Sequence, residues 1–220
     1  MNLLKILPIT ALAFSLTGLA HSADNDWVEG TDKEAVRQVL EASFSAHNDV
    51  TLDRLEQSDM QRACSEAERT GAAIPRDVIE KITEAARASI QFPEDGEYFG
   101  DWREGEKIAQ SGRGLQWSDK PGAPRGGNCY ACHEMSKAEL SFGNIGTSLL
   151  HYGKIRGDGK EMLEYTWSRI YNPHAFDACS VMPRFGDEGI LTEAQMKHIM
   201  ALLFDPESPV NDDSVDPKAK

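Results

Sequence analysis

Apolar residues recur along most of this chain at the spacing of helix faces, and few short apolar runs suit a sheet, so the pattern predicts a mostly α fold. Thr31-Asp-Lys-Glu34 reads as a capping box opening a helix that carries Val36, Val39, Leu40 and Phe44 at helical spacing. A second helix is expected from about Leu52 to Arg69, stopped by Gly71. A third is expected over Pro75 to Ile90, with Pro75 in its first turn and Val78, Ile79, Ile82, Ala86 and Ile90 as its buried stripe. Asp101-Trp-Arg-Glu104 starts a helix over Trp102 to Gln110. Gly105 sits in its middle, at a cost of about 1 kcal/mol relative to Ala, which suggests a close helix crossing. After a Gly/Pro-rich loop from Gly112 to Gly127, helices are expected over Leu163 to Tyr171, ended by Asn172-Pro173, and from Thr192 to about Leu203. Met162, Met196 and Met200 read as core filling. Asp205 to Lys220 is polar and is expected to be loose.

The first residues break this pattern. Lys5 is followed by an apolar or small-residue run, Ile6 to Ala20, then by small residues and the acidic Asp24-Asn25-Asp26. That is the pattern of a secretory signal peptide over residues 1–23, cleaved within Ala20 to Ala23, with an uncleaved anchor as the alternative. The mature chain would be periplasmic, with no membrane span after cleavage. Its charge of −13 would become −14 on losing Lys5. So acidic a chain argues against nucleic acid, whose phosphates need a basic face. The same acidity suits a basic redox partner, or simply solubility.

Cys129-Tyr-Ala-Cys132-His133 is the attachment pattern for haem c. Two cysteines at this spacing face one side and can each form a thioether to a vinyl group, with the following His133 presented to the iron. A thioredoxin-like pair or half a zinc site is the competing reading. No strand-helix pattern surrounds the motif, and no second Cys-x-x-Cys completes a ribbon. For the second iron ligand, Met182 in Val181-Met182-Pro183 is favoured, His174 and His151 stay open, and Met135 is too close to His133 to reach across the ring. Cys64 and Cys179 are left over. In an oxidising compartment they form a candidate disulfide, the alternatives being free thiols or a bond to a partner.

Gly127-Asn128-Cys-Tyr-Ala-Cys-His133, Gly143-Asn144-Ile145-Gly146-Thr147-Ser148-Leu149, Met182-Pro183-Arg184-Phe185-Gly186, Leu191-Thr192-Glu193 and the ending Asp205-Pro206-Glu207-Ser208-Pro209-Val210-Asn211 together resemble SoxX. SoxX is the monohaem subunit of the SoxAX complex of bacterial thiosulfate oxidation, and the likeness spans roughly residues 96–211. The resemblance implies an all-α, class I-like cytochrome c domain over 96–205. An N-terminal helical extension would occupy 24–95 and a polar tail 206–220. One helix, Trp102–Gln110, would cross Thr192–Leu203. It further implies one haem c on Cys129 and Cys132, with His133 and Met182 as iron ligands. The implied partner is a SoxA-like haem subunit on which thiosulfate is joined to a cysteine of the SoxYZ carrier. Electrons would leave to a soluble acceptor cytochrome, and no catalytic residue is expected in this chain. Thr147 stands where many cytochromes c have proline, and its carbonyl can take the same hydrogen bond from the haem histidine. A free-standing electron carrier and a structural or sensory haem protein remain the other readings.

Overall fold

The computed structural model describes residues 32–212 apart from 49 and 115. The signal peptide expected at 1–23, Thr31 and residues 213–220 lie outside the described residues. The described chain is all-α. Seven helices succeed one another: α1 (Lys33–Ser43), α2 (Asp59–Thr70), α3 (Arg76–Ser89), α4 (Trp102–Gln110), α5 (Tyr152–Arg156), α6 (Lys160–Tyr171) and α7 (Glu193–Phe204). Single 3₁₀ turns lie at Leu52–Leu55, Cys129–Ala131 and Pro173–Ala175. No described helix is long and apolar enough to cross a membrane.

Several helix ends fall where a side chain supplies a partner for an orphan amide. Asp101 Oδ1 accepts from the Arg103 amide to open α4, and Thr192 with Gln195 forms a full capping box on α7. At α1 the cap is Asp32, whose Oδ1 accepts from the Glu34 and Ala35 amides, one residue after the expected start. The helix expected from Leu52 to Arg69 is two pieces. Ser58 and Gln61 form a second capping box, so α2 begins afresh at Asp59 after the short 3₁₀ turn. Gly71 ends α2 in the left-handed conformation. Pro75 stands just before α3 and not within it, its carbonyl accepting from the Val78 and Ile79 amides. The buried face of α3 follows the expected stripe at Ala86, which is buried, and at Val78, Ile82 and Ile90, which are half-buried; Ile79 is exposed and Thr83 is buried in its place. Helix α6 begins at Lys160, earlier than its apolar pattern suggests.

The core lies among α4, α6 and α7, filled by Trp167, Met135, Met196, Met200, Leu202 and their neighbours. Met162 packs at its edge. Helices α4 and α7 cross closely at Gly105, where a Cβ would sit 2.1 Å from the His198 carbonyl oxygen. No larger residue fits there without the backbones moving apart. The entry to α4 is tied to α7 as well, through Gly100 N–H to Lys197 O (2.9 Å) and Asp101 N–H to His198 Nδ1 (2.8 Å).

The loose tail expected from Asp205 is a correction. Pro206 and Glu207 are exposed, but Ser208, Val210 and Asn211 are fully buried. Asn211 explains this. Its amide donates to the Leu203 and Asp205 carbonyls at the end of α7 (3.0 and 2.9 Å), and its carbonyl oxygen accepts from Lys154 N–H. The compact part of the chain therefore runs to Asn211, beyond the boundary at 205.

Candidate haem-attachment site

Gly126, Gly127 and Asn128 bring the chain back against the end of α4. Gly127 N–H donates to Ile108 O and Asn128 N–H to Ser111 O (2.9 and 3.0 Å). Asn128 takes a left-handed conformation and launches the 3₁₀ turn Cys129–Ala131. Cys132 and His133 both donate their amides to Cys129 O (3.1 and 2.9 Å). One tight turn thus gathers Cys129, Cys132 and His133, and the two cysteines are not bonded to each other.

The segment 143–149 folds back on this turn through three backbone rungs. They run from Gly143 N–H to Tyr130 O, from Gly146 N–H to Cys132 O, and from Leu149 N–H to Glu134 O. This places the Thr147 carbonyl 2.7 Å from His133 Nδ1. A carbonyl only accepts, so Nδ1 carries the proton and Nε2 keeps its lone pair for a metal. Such a bond also fixes the ring and strengthens it as a donor. Gly146 makes room for it: a Cβ there would lie 2.3–2.7 Å from three imidazole atoms.

Gly127 faces the Cys129 sulfur, Leu191 and Phe185. Burial in this surrounding pushes the Cys129 thiol up to about 12. A catalytic dithiol needs the opposite shift, since the thiolate is the nucleophile. Between the two cysteines, Tyr130 is buried, and its hydroxyl has no hydrogen-bond partner among the described residues. Burial is the main cause that pushes this phenol well up, with the Glu106 and Glu139 charges adding to it. A hollow of about 470 Å³ lies alongside, lined in part by Tyr130, Glu139 and Phe142.

Met182 lies in the irregular segment between the Pro173–Ala175 turn and α7. It is half-buried and packs on the same apolar cluster as Cys129 and Leu149. Its amide donates to Ser180 Oγ (3.3 Å). His174 is buried, and its Nε2 is 3.0 Å from the Ser180 carbonyl. His151 begins α5 in a left-handed conformation. Met135 is fully buried beside the His133 turn. Cys64 of α2 and Cys179 form a disulfide, with Cα atoms 5.7 Å apart. The tie between His174 and Ser180 was not legible in the sequence, because Ser180 carries no pattern that marks its carbonyl as an acceptor.

No family model matches the chain. Over 156 residues, 70% of this chain and 73% of the relative, it is 42% identical to an uncharacterized lipoprotein of Aquifex aeolicus (strain VF5).

Proposed function

The chain belongs to the same family as that Aquifex aeolicus lipoprotein, and from its Cys129–His133 motif and its SoxX-like segments we propose that it is an exported monohaem c-type cytochrome, the electron-accepting subunit of a SoxAX-type thiosulfate-oxidising complex. The relative's name speaks for export, and the apolar leader at 1–23 supports the same route here, to the periplasm.

The observation that carries the reading is the turn Cys129–His133 with its imidazole oriented by Thr147 O. Two unbonded cysteines on one turn, a histidine with Nε2 available, and a sulfur donor, Met182, on the same apolar cluster form a donor set that fits haem c. Cys129 and Cys132 would hold the group by thioethers, with His133 and Met182 as its iron ligands. Bound there, haem supplies one-electron transfer at a potential raised by the Met/His pair. The chain's own residues do the rest. Thr147 sets the histidine tautomer, while Leu149, Phe185 and Leu191 keep the surroundings apolar.

In the full reaction one thiosulfate dianion and one carrier-protein thiol become a cysteine S-thiosulfonate, with release of one proton and two electrons. The new S–S bond would form on the SoxA-like partner, on a cysteine of a SoxYZ carrier. The present chain would take the electrons singly and hand them to a soluble cytochrome, and none of its residues is assigned a proton transfer.

Native mass spectrometry of the protein from its own host's periplasm tests this. The expected result is a second, haem-bearing chain in fixed ratio, and an absorption assay on that complex should then show haem reduction that needs both thiosulfate and a carrier protein. A single chain with one haem and no partner would instead make it a free-standing electron carrier.

A further inference from the structure

Helix α2 contributes no fully buried residue, so it is not a core element. It is bonded covalently to the rest of the chain at Cys179, three positions before Met182. Helix α3 adds a second attachment close by. It packs against the Pro173–Ala175 turn, and Ser89 Oγ accepts from the Asn172 side-chain amide (3.0 Å). Just beyond α3, the Gln91 carbonyl accepts from the Trp167 indole (2.8 Å).

The segment they meet needs holding. Asp177–Pro183 has no regular secondary structure. Val181 (81% exposed) and Pro183, the two neighbours of Met182, face solvent. Packing of its two chain neighbours therefore does not fix Met182 from either side. What fixes it is a short relay. Cys179 is held by the disulfide, and its amide donates to Asp177 Oδ1 (3.0 Å). His174 Nε2–H donates to the Ser180 carbonyl, and Ser180 Oγ accepts the Met182 amide. Since the carbonyl only accepts, the His174 proton sits on Nε2, and that nitrogen is committed to Ser180.

We propose that the N-terminal helical segment is a brace for Met182: through Cys64–Cys179, and with His174 and Ser180 as positioning residues, it holds the methionine sulfur at the iron. The inference rests on the reading of Met182 as an iron ligand. It gives residues 59–91 a task at the site and turns His174 from a rival ligand into a support for Met182.

The test uses periplasmic holoprotein with one haem per chain, comparing wild type with Met182→Ala, Cys64→Ser/Cys179→Ser, Ser180→Ala, His174→Gln and His174→Phe. Three quantities are read. They are the thioether-to-ferric-iron absorption band, the rate of carbon monoxide binding to the reduced protein, and hydrogen exchange at 177–183. Carbon monoxide enters only when the sulfur is off the iron, so its rate follows the open population. The disulfide double variant is expected to weaken the band, lose protection at 177–183 and bind carbon monoxide at least about tenfold faster. Ser180→Ala shifts the same way by less, and it keeps the test open should the double variant fail to fold. His174→Gln, which retains an N–H donor, lies nearer wild type than His174→Phe. Wild-type values in the double variant and in Ser180→Ala, with a large effect in Met182→Ala, overturn the brace and leave the ligand reading standing. A Met182→Ala protein with an unchanged band and rate overturns the ligand reading, and the brace falls with it.

Discussion

His174 shows how one side chain's surroundings become a pH effect. Burial is the main cause that holds its pKa below the ordinary value. The hydrogen bond to Ser180 O opposes burial. Arg184 lowers the pKa further, and Asp177 and Asp187 raise it. The folded pKa is therefore below the unfolded one, so the unfolded chain binds more protons and stability rises with pH. The contribution is full above the unfolded value of about 6.5 and is lost as pH falls below it. Denaturant midpoints of the protein should thus drop between neutral and mildly acidic pH, and His174→Gln should flatten that drop. An equal drop in the variant would assign it to other groups. Tyr130 gives a sharper contrast. Its buried hydroxyl has no partner among the described residues, so removing it should cost nothing. Urea unfolding of Tyr130→Phe should show unchanged or higher stability, and a loss above about 1 kcal/mol would mean that the hydroxyl has a partner.

Among the elements, the α4–α7 crossing is the least tolerant of change. Gly105→Ala forces a methyl into the His198 carbonyl, and overpacking of this kind costs about 1–3 kcal/mol or more. This should be read as a lowered denaturant midpoint, and an unshifted midpoint would mean the helices stand further apart. At the far end of α7, Asn211→Ala removes the donor for two carbonyls and should cost about 1–3 kcal/mol. These two sites also mark what the sequence could reveal. The span of α4 and the need for glycine in it were legible because cap, period and glycine all lie within a few residues. The packing of Asn211 was not, because a polar residue far from the helix it caps carries no local signal, and its stretch reads as solvent-facing. The split before α2 was legible in principle, since Ser58 and Gln61 are a capping box in plain sequence. The stripe of α3 was legible except at its edge, where the polar Thr83 is buried and the apolar Ile79 is exposed. At the site, Cys129, Cys132 and His133 could be read from one short motif. The Thr147 contact needed only the loop behind it. The relay to Met182 depends on a fold spanning Cys64 to Cys179.

Over the whole molecule, charge and the covalent tie matter most. The ion pairs lie mainly on exposed helix faces, such as Arg37 with Glu34 and Glu41. Such pairs contribute little each. The disulfide closes a separation of 115 residues, so its loss should cost on the order of 2–4 kcal/mol. The net charge of −13 would favour encounter with any basic partner, at a rate that falls as salt shortens the reach of the field. The central claim is simpler than any of these: Cys129 and Cys132 carry haem covalently. The measurement that tests it most directly is the intact mass of the denatured, alkylated protein from its own periplasm. The account predicts a chain heavier by one haem, with neither cysteine alkylated, and loss of that mass in Cys129→Ser/Cys132→Ser. A chain at its bare mass with both cysteines alkylated would contradict it.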